Sequence, residues 1–442
     1  MRSELLPTED LVTQMFETLF PIDRSLTGAG FRQTLEYLNS DFDAEYKSEK
    51  SGNQIFDWIV PPTWNIRDAY VKNVFGKKII DFKLNNLSVV NYSIPVSLNL
   101  SEDELLKKLH TIPEEPDWIP YRTSYYKRDW GFCCTANLVK SADFVGPFEV
   151  YIDSDLDNSG SLIWSEALHI GTSSREILIS TYACHPSMAN DNLSGNILSR
   201  LLFSYIKSMK TKFTYRLVII PETIGALCFL KNHNDLEKIL GGLVVTTVAG
   251  SDLIGLKNAF DKNHWINTMA QEVLRESGIS HKIYEFAPDG SDERQYSSPG
   301  FRIPTISITK SKYYEYSEYH TSADNLQFVS AKGLLTTLEL YKDLINKIEN
   351  SKIPVRNENY GEYQLGKRGL FPNTSGFLKS SIMKTTNAEE YSETLIDAFG
   401  WIMNLADGTK TVETISKISG LPVEVISEGI DIFEKSDLVS YL

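Results

Sequence analysis

Between Ile177 and Asn196 the chain reads ILISTYACHPSMANDNLSGN, the first stretch whose residue types suit chemistry. The apolar, β-rich run Ile177 to Tyr182 predicts a buried strand. Pro186 cannot continue a central strand, so His185 falls at its C-terminal end. Asp191 and Asn192 fall at the mouth of the helix predicted by ILSRLLFSYIKSM. That edge of an open α/β sheet is where ligands bind. An imidazole and a carboxylate meeting there suit a divalent metal, zinc foremost. The plainer reading is that His185 bonds a loop and Asp191 caps a helix. Both readings stay open on this stretch alone.

Three further stretches bear on the choice. Glu222, in Pro221-Glu222-Thr223-Ile224-Gly225, follows another buried strand and suits a general base. The charged loop Gly290-Ser291-Asp292-Glu293-Arg294-Gln295-Tyr296 precedes a strand; solvated loop is its plain reading. His320 lies in the polar loop EYHTSADN, followed by a helix. The remaining histidines, His110, His169, His233, His264 and His281, lack such settings and read as surface or structural.

Elements to position these residues are legible along the chain. Two amphipathic helices, Glu9 to Leu19 and Phe31 to Leu38, flank a loop, PIDRSLTGAG, in which Arg24 reads as a structural ion pair rather than an anion contact. Residues 51–140 turn to short β-branched and aromatic runs, with one helix after Ser101 under a capping box with Glu104. Within them, Ile119 to Tyr126 is dense in aromatics and suits either a lid over the site or packing between sheets. From FEVYID onward, strands alternate with helices as far as Ala331–Asn350. This predicts an α/β domain with a mostly parallel sheet and helices on both faces. Its division is 1–50 for the N-terminal part, 51–140 for a small, mainly-β insertion and 141–352 for the rest. Residues 353–442 are a linker and a winged-helix-like domain: helices at Glu390–Leu405, Thr411–Ser419 and Val423–Lys435, then a strand.

Composition narrows the functions. The 442 residues carry a formal charge of −14, against a general polyanion binder or an anionic membrane surface. From Lys367 onward, seven basic side chains face eleven acidic ones, so the winged-helix-like tail reads as a packing or protein-contact module with no nucleic-acid partner. No apolar run approaches the ~20 residues of a membrane span. The N-terminus lacks a signal-type apolar segment. Cys133, Cys134, Cys184 and Cys228 form no disulfide framework. The expectation is a cytoplasmic protein with reduced thiols, no membrane contact and an oligomeric state the sequence leaves open.

Taken as a set, His…Asp-Asn-x-Ser-Gly, Glu-x-x-Gly after a strand, Ser-Asp…Gly-x-x-x-Pro and Tyr-His-Thr…Asp resemble the co-catalytic zinc aminopeptidases, in the same order along the chain. The layout is similar to bacterial aminopeptidase-like domain proteins found with polysaccharide-biosynthesis genes, through PIDRSLTGAGFRQTL, IPYRTSYYKRDWGFC, YACHPSMANDNLSG, GSDERQY and EYHTSADN. The resemblance implies His185 and His320 as metal ligands, Asp191 as the carboxylate bridging two metals, and Glu222 as general base. Asp324 would be structural. Thr223 departs from the pattern, because the di-zinc enzymes have a second glutamate there. Asp252 is at best a shifted candidate for their remaining aspartate ligand. One zinc on His185, Asp191 and His320 is the simplest arrangement. The function implied is a zinc hydrolase of aminopeptidase type, cleaving a peptide or amide bond by attack of metal-bound water. Arg294 or Tyr296 would steady the oxyanion, and Asp292 is a further candidate at the site. The substrate would be a peptide N-terminus or an amide on a sugar precursor. The alternative, favoured by Thr223, is an inactive aminopeptidase-like binding module with a docking tail.

Overall fold

The computed structural model describes residues 7–370 and 393–442. The chain forms two compact units, Met1–Phe260 with Leu274–Ile345 and Asp261–Val273 with Asn346–Leu442.

The larger unit is built on an eight-stranded mixed sheet. Its strand order is Ala44–Lys50, Ser161–His169, Thr214–Ile220, Glu176–Tyr182, Ile239–Val244, Thr305–Lys310, Ile254–Lys257 and His281–Tyr284. The four strands from Thr214–Ile220 to Thr305–Lys310 run parallel. Glu176–Tyr182 is buried at every position, as a strand covered on both faces must be. Helix Gly195–Lys207 packs on this strand and on Thr214–Ile220, with Glu9–Leu19 and Ala29–Leu38 beside it. Helix Ile224–Asn232 packs instead with Glu293–Tyr296 and Ser161–His169. Ala44–Lys50 is an edge strand that sequence patterning did not reveal; its AEYKSEK composition is charged and mostly solvent-facing, which suits a protected edge.

The strand containing FEVYID corrects the expected boundary at residue 140. Phe148–Asp157 pairs with Thr63–Lys72 and Val96–Leu100 in a separate antiparallel four-stranded sheet. The physical reason is visible in its burial, which alternates along the strand. Alternation is the mark of a sheet with one wet face, not of a strand inside a parallel sheet. Phe148, Val150 and Ile152 instead join Ala69, Val71 and Phe132 in a small core of their own.

In the smaller unit, Pro354–Arg356 pairs antiparallel with Val439–Tyr441. Helices Glu393–Leu405, Val412–Ser419 and Val423–Lys435 enclose an apolar core that includes Phe399, Ile402, Ile415, Ile426, Ile430 and Phe433. Thr411 caps the middle helix, and Gly420, at φ 72°, closes it. The start expected at Glu390 lies outside the described residues, as do residues 371–389 of the connector. Among the described residues, no helix is long and apolar enough to cross a membrane.

Candidate metal centre

The loops that leave the C-terminal ends of the parallel strands carry the candidate residues, where α/β sheets bind ligands. His185 and Asp191 follow Glu176–Tyr182, Glu222 follows Thr214–Ile220, and His320 follows Thr305–Lys310. Ligand atoms of His185, Asp191 and His320 lie within 4.8 Å of one another. Asp191 is wholly buried and His185 nearly so.

Local hydrogen bonding explains why the Asn-Asp-Asn-Leu-Ser-Gly loop holds this shape. Asp324 accepts the backbone N–H groups of Asn190 and Asp191, at 2.6 and 2.9 Å. The Asn192 amide donates to Thr181 Oγ1, Tyr182 O and Val245 O, and its oxygen accepts from Thr247 N–H. Gly195 is required, because a Cβ there would lie 2.2 Å from Asn192 Oδ1 and 2.4 Å from Val245 O. Tyr182, whose hydroxyl donates to Asp191 Oδ1 at 2.5 Å, was hidden in the sequence as one more aromatic in a strand. Among the described residues Arg24 forms no ion pair: its Nε donates to the His185 carbonyl at 2.8 Å, and its Nη1 to Leu19 O at 2.5 Å. The expected ion-pair role is thus replaced by a buried clamp on the backbone of His185.

Donor chemistry at the triad fits a zinc ion. Asp191 Oδ2 and His320 Nε2 stand 3.0 Å apart, within ion-pair reach of each other, and neither makes any other hydrogen bond among the described residues. Buried polar atoms are rarely left so, and two such atoms this close, with a His185 ligand atom within 4.8 Å, suit a shared cation. Burial lowers the His185 pKa to about 4, against the pull of Asp191. For Asp191, burial is outweighed by His185, by His320 and by the Tyr182 hydrogen bond, leaving its carboxyl at about 2. At neutral pH this gives a neutral imidazole and an ionised carboxylate, the states that bind metal.

Glu222 Oε2 lies 3.7 Å from His185 Nε2. Burial, then the charges of Asp292 and Asp191, push its carboxyl well above the ordinary range, and Ser291 and Arg294 draw it partly back. Thr223, at φ 65°, donates its N–H to Asp292 Oδ1 at 2.6 Å, and its Oγ1 accepts from Arg294 Nη2 at 3.1 Å. Asp292 is fully buried, and burial raises its pKa to about 7. The 289–293 loop that carries Asp292 is anchored by buried Lys257, which donates to Glu293 and to the Asp289 carbonyl, at 2.7 and 2.6 Å.

Two further expectations are corrected. Tyr296 is no oxyanion donor: it is buried in the core, with its hydroxyl 2.7 Å from Ser180 Oγ. Asp252 is no ligand: it is exposed, outside the triad, and lines another cavity with Lys282, Lys310, Lys312 and Tyr284. Sequence reasoning also gave no particular role to Tyr121, whose ring stands 5.3 Å from both His185 and His320. The aromatic density of Ile119–Tyr126 was the signal for it.

Comparison with known proteins agrees with this architecture. A family described as a domain of unknown function (DUF4910) matches residues 13–351. A winged helix-turn-helix family matches residues 352–441. A polysaccharide biosynthesis protein with aminopeptidase-like domain from Clostridium acetobutylicum is 39% identical over 431 residues, 97% of this chain and 95% of that one. A crystal structure from the same organism superposes with a TM-score of 0.77 at 38% identity, over 98% of this chain and 96% of that chain. BSAP, a zinc aminopeptidase from Bacillus subtilis, shares the fold at a TM-score of 0.55 and 11% identity, over 78% of this chain and 96% of its own.

Proposed function

We propose, from the premise that the chain belongs to the DUF4910 family and carries an aminopeptidase-like fold, that it is a zinc-dependent hydrolase of a peptide or amide bond. The observation that carries this reading is the cluster of His185, Asp191 and His320, whose buried Asp191 Oδ2 and His320 Nε2 have no hydrogen bond beyond each other among the described residues. A zinc ion held by these three residues would polarise the scissile carbonyl and make water a better nucleophile.

The protein's own groups supply the rest. Glu222, 3.7 Å from His185, is placed to take a proton from water and return it to the leaving nitrogen. Its contact with His185 keeps it at the edge of the donor cluster. Arg24 and Asp324 fix the backbones of His185 and Asp191, so the ligands are held before anything binds. Arg294 retains a buried Nε with no partner among the described residues, and so has a donor to offer a substrate oxygen.

Zinc analysis of untagged protein, together with turnover of a panel of aminoacyl amides and N-acylated sugars, tests the reading. About one zinc per chain is expected in wild type and in Glu222→Gln, and none in His185→Ala or His320→Ala. Turnover should fall by about 10²- to 10⁴-fold in Glu222→Gln. Full activity in that variant would remove Glu222 as the base. The one observation favouring a binding module instead is the engagement of Thr223 by Arg294 where a second carboxylate ligand would otherwise sit. Stoichiometric zinc with no turnover on any member of the panel would select that reading.

A further inference from the structure

A second cavity, of about 660 Å³, opens at the edge of the eight-stranded sheet formed by His281–Tyr284. No residue of the candidate metal centre lines it. Strand pairing sets its shape. Ile254 stands beside Lys310 on one side and His281 on the other, so Lys310 and the edge strand are separated by one short strand. Gly255 is needed in that strand, because a Cβ would lie 2.9 Å from the Tyr284 ring and 2.9 Å from Thr309 Oγ1. Its bare backbone leaves room for the ring. The Lys282 ammonium then stands 4.4 Å, and the Lys312 ammonium 5.1 Å, from the centre of that one ring.

Three lysines thus line one cavity in a chain whose formal charge is −14. Only Lys282 is matched: Glu315 pairs with it at 3.2 Å and also accepts the Tyr284 hydroxyl. Lys310 Nζ donates to the Asp252 carbonyl at 2.8 Å, and Lys312 Nζ to the Tyr313 carbonyl at 3.3 Å. Among the described residues neither ammonium has a carboxylate within ion-pair distance, although both side chains are half-buried. Burial lowers the Lys312 pKa below the ordinary lysine value, against the pull of Glu315, and Lys257 adds to the fall. A sheltered cation without counter-charge is costly to keep, and a bound anion restores the balance.

We propose that this cavity binds a phosphorylated small molecule, its phosphate among Lys282, Lys310 and Lys312 and its organic part against Ile254 and Ile279. Lysine meets phosphate as a point charge, whereas a planar carboxylate is better met by the arginine fork. No arginine lines the cavity among the described residues. Its volume falls in the range of small-molecule sites and exceeds what inorganic phosphate alone would fill. The hydroxyls of Ser251 and Ser280 add donors at the wall. The site is independent of the hydrolase reading, since it shares no residue with the metal centre.

The test is calorimetric titration of the full chain after treatment with a chelator, which keeps anions from a bound metal. The probes are phenyl phosphate, inorganic phosphate and benzoate. The variants are Lys310→Gln, Lys312→Gln, Lys310→Arg and, as a control, Lys140→Gln, an exposed lysine outside the cavity. Phenyl phosphate should bind wild type, Lys140→Gln and Lys310→Arg alike. It should bind about 10-fold more weakly, or worse, to each of the other two, as loss of a charged hydrogen bond implies. Wild-type binding in both of those variants would overturn the inference, as would the absence of binding by any probe. Loss in both Lys310 variants with Lys312→Gln unaffected would also overturn it, by assigning Lys310 to holding the Asp252 carbonyl. Inorganic phosphate binding as tightly as phenyl phosphate would remove the organic part, and benzoate binding as tightly would remove the phosphate. His320→Ala should bind phenyl phosphate as wild type does; loss there would move the anion to the metal centre and overturn the inference.

Discussion

In the larger unit, His185, Asp191, Asp292 and Asp324 lie in the interior, and Asp191 Oδ2 and Asp292 Oδ2 have no partner there. In the smaller unit, the corresponding space is filled by Leu395, Ala398, Phe399, Ile402, Ile415, Ile426, Ile430 and Phe433. Burying polar groups without partners costs free energy that aliphatic packing would supply. A fold carries that cost where the groups have other work, so chemistry is concentrated at the sheet edge of the larger unit. The winged-helix unit shows the opposite economy, with a core that does nothing but pack. On that unit, helix Val423–Lys435 carries Glu424, Glu428, Asp431 and Glu434 against Lys435.

Perturbing each unit by its own logic sharpens the contrast. The largest effect should come from the apolar core. Phe433→Ala removes a fully buried ring and should destabilise the smaller unit by about 3–5 kcal/mol in denaturant melts. Zinc content should stay at the wild-type value; coupled loss of zinc would break the distinction between the units.

A polar change in the larger unit should act on the metal rather than on folding. Asp324→Asn weakens the acceptor that holds the Asn190 and Asp191 backbone, and metal affinity should fall about 10- to 100-fold in competition with a chelator. A variant with wild-type affinity would show that the loop holds Asp191 without it.

The next effect is on pH dependence. Burial raises the Asp292 carboxyl from 3.8 in the ordinary case to about 7 in the fold. The folded state therefore binds this proton more tightly than the unfolded chain, and stability rises wherever the proton is kept. Asp292 contributes fully below about pH 3.8, and its contribution is lost as pH rises through about 7. Metal-free wild type should lose thermal stability across that window, and Asp292→Asn should flatten the loss. Equal slopes in the two proteins would mean that Asp292 is ionised in the fold.

The smallest effect is the absence of one. We propose that the winged-helix unit is a protein-contact module. Fluorescence anisotropy of labelled duplex DNA should then show no binding by the full chain at physiological salt, as its acidic balance requires. Salt-sensitive binding would overturn that.

How much could be read beforehand varied by residue. His185 and Glu222 were legible because each closely follows a strand signal, and Asp191 and His320 because they lie in polar loops before helices, and strand ends are close in space whatever separates them in the chain. Asp252 misled because nearness in sequence was taken for nearness in space. The chain leaves the sheet at Val244 and turns through Thr247, at φ 49°, which leaves Asp252 exposed elsewhere. Tyr296 misled because a one-turn helix aims its residues in different directions. Arg294 reaches Thr223, while Tyr296 points into the core toward Ser180.

The sequence by itself determined the α/β character, the order of the chemical residues, the missing second carboxylate at Thr223 and the acidic tail, since these are properties of patterning and residue type. Only the tertiary structure decided which polar atoms are left without partners, that Arg24 clamps a carbonyl, and that Tyr121 stands beside two histidines distant from it along the chain. Those are contacts between separate loops. Their geometry is set by the packing of two sheets and the hydrogen bonds of the Asn190–Gly195 turn, and no local pattern records it.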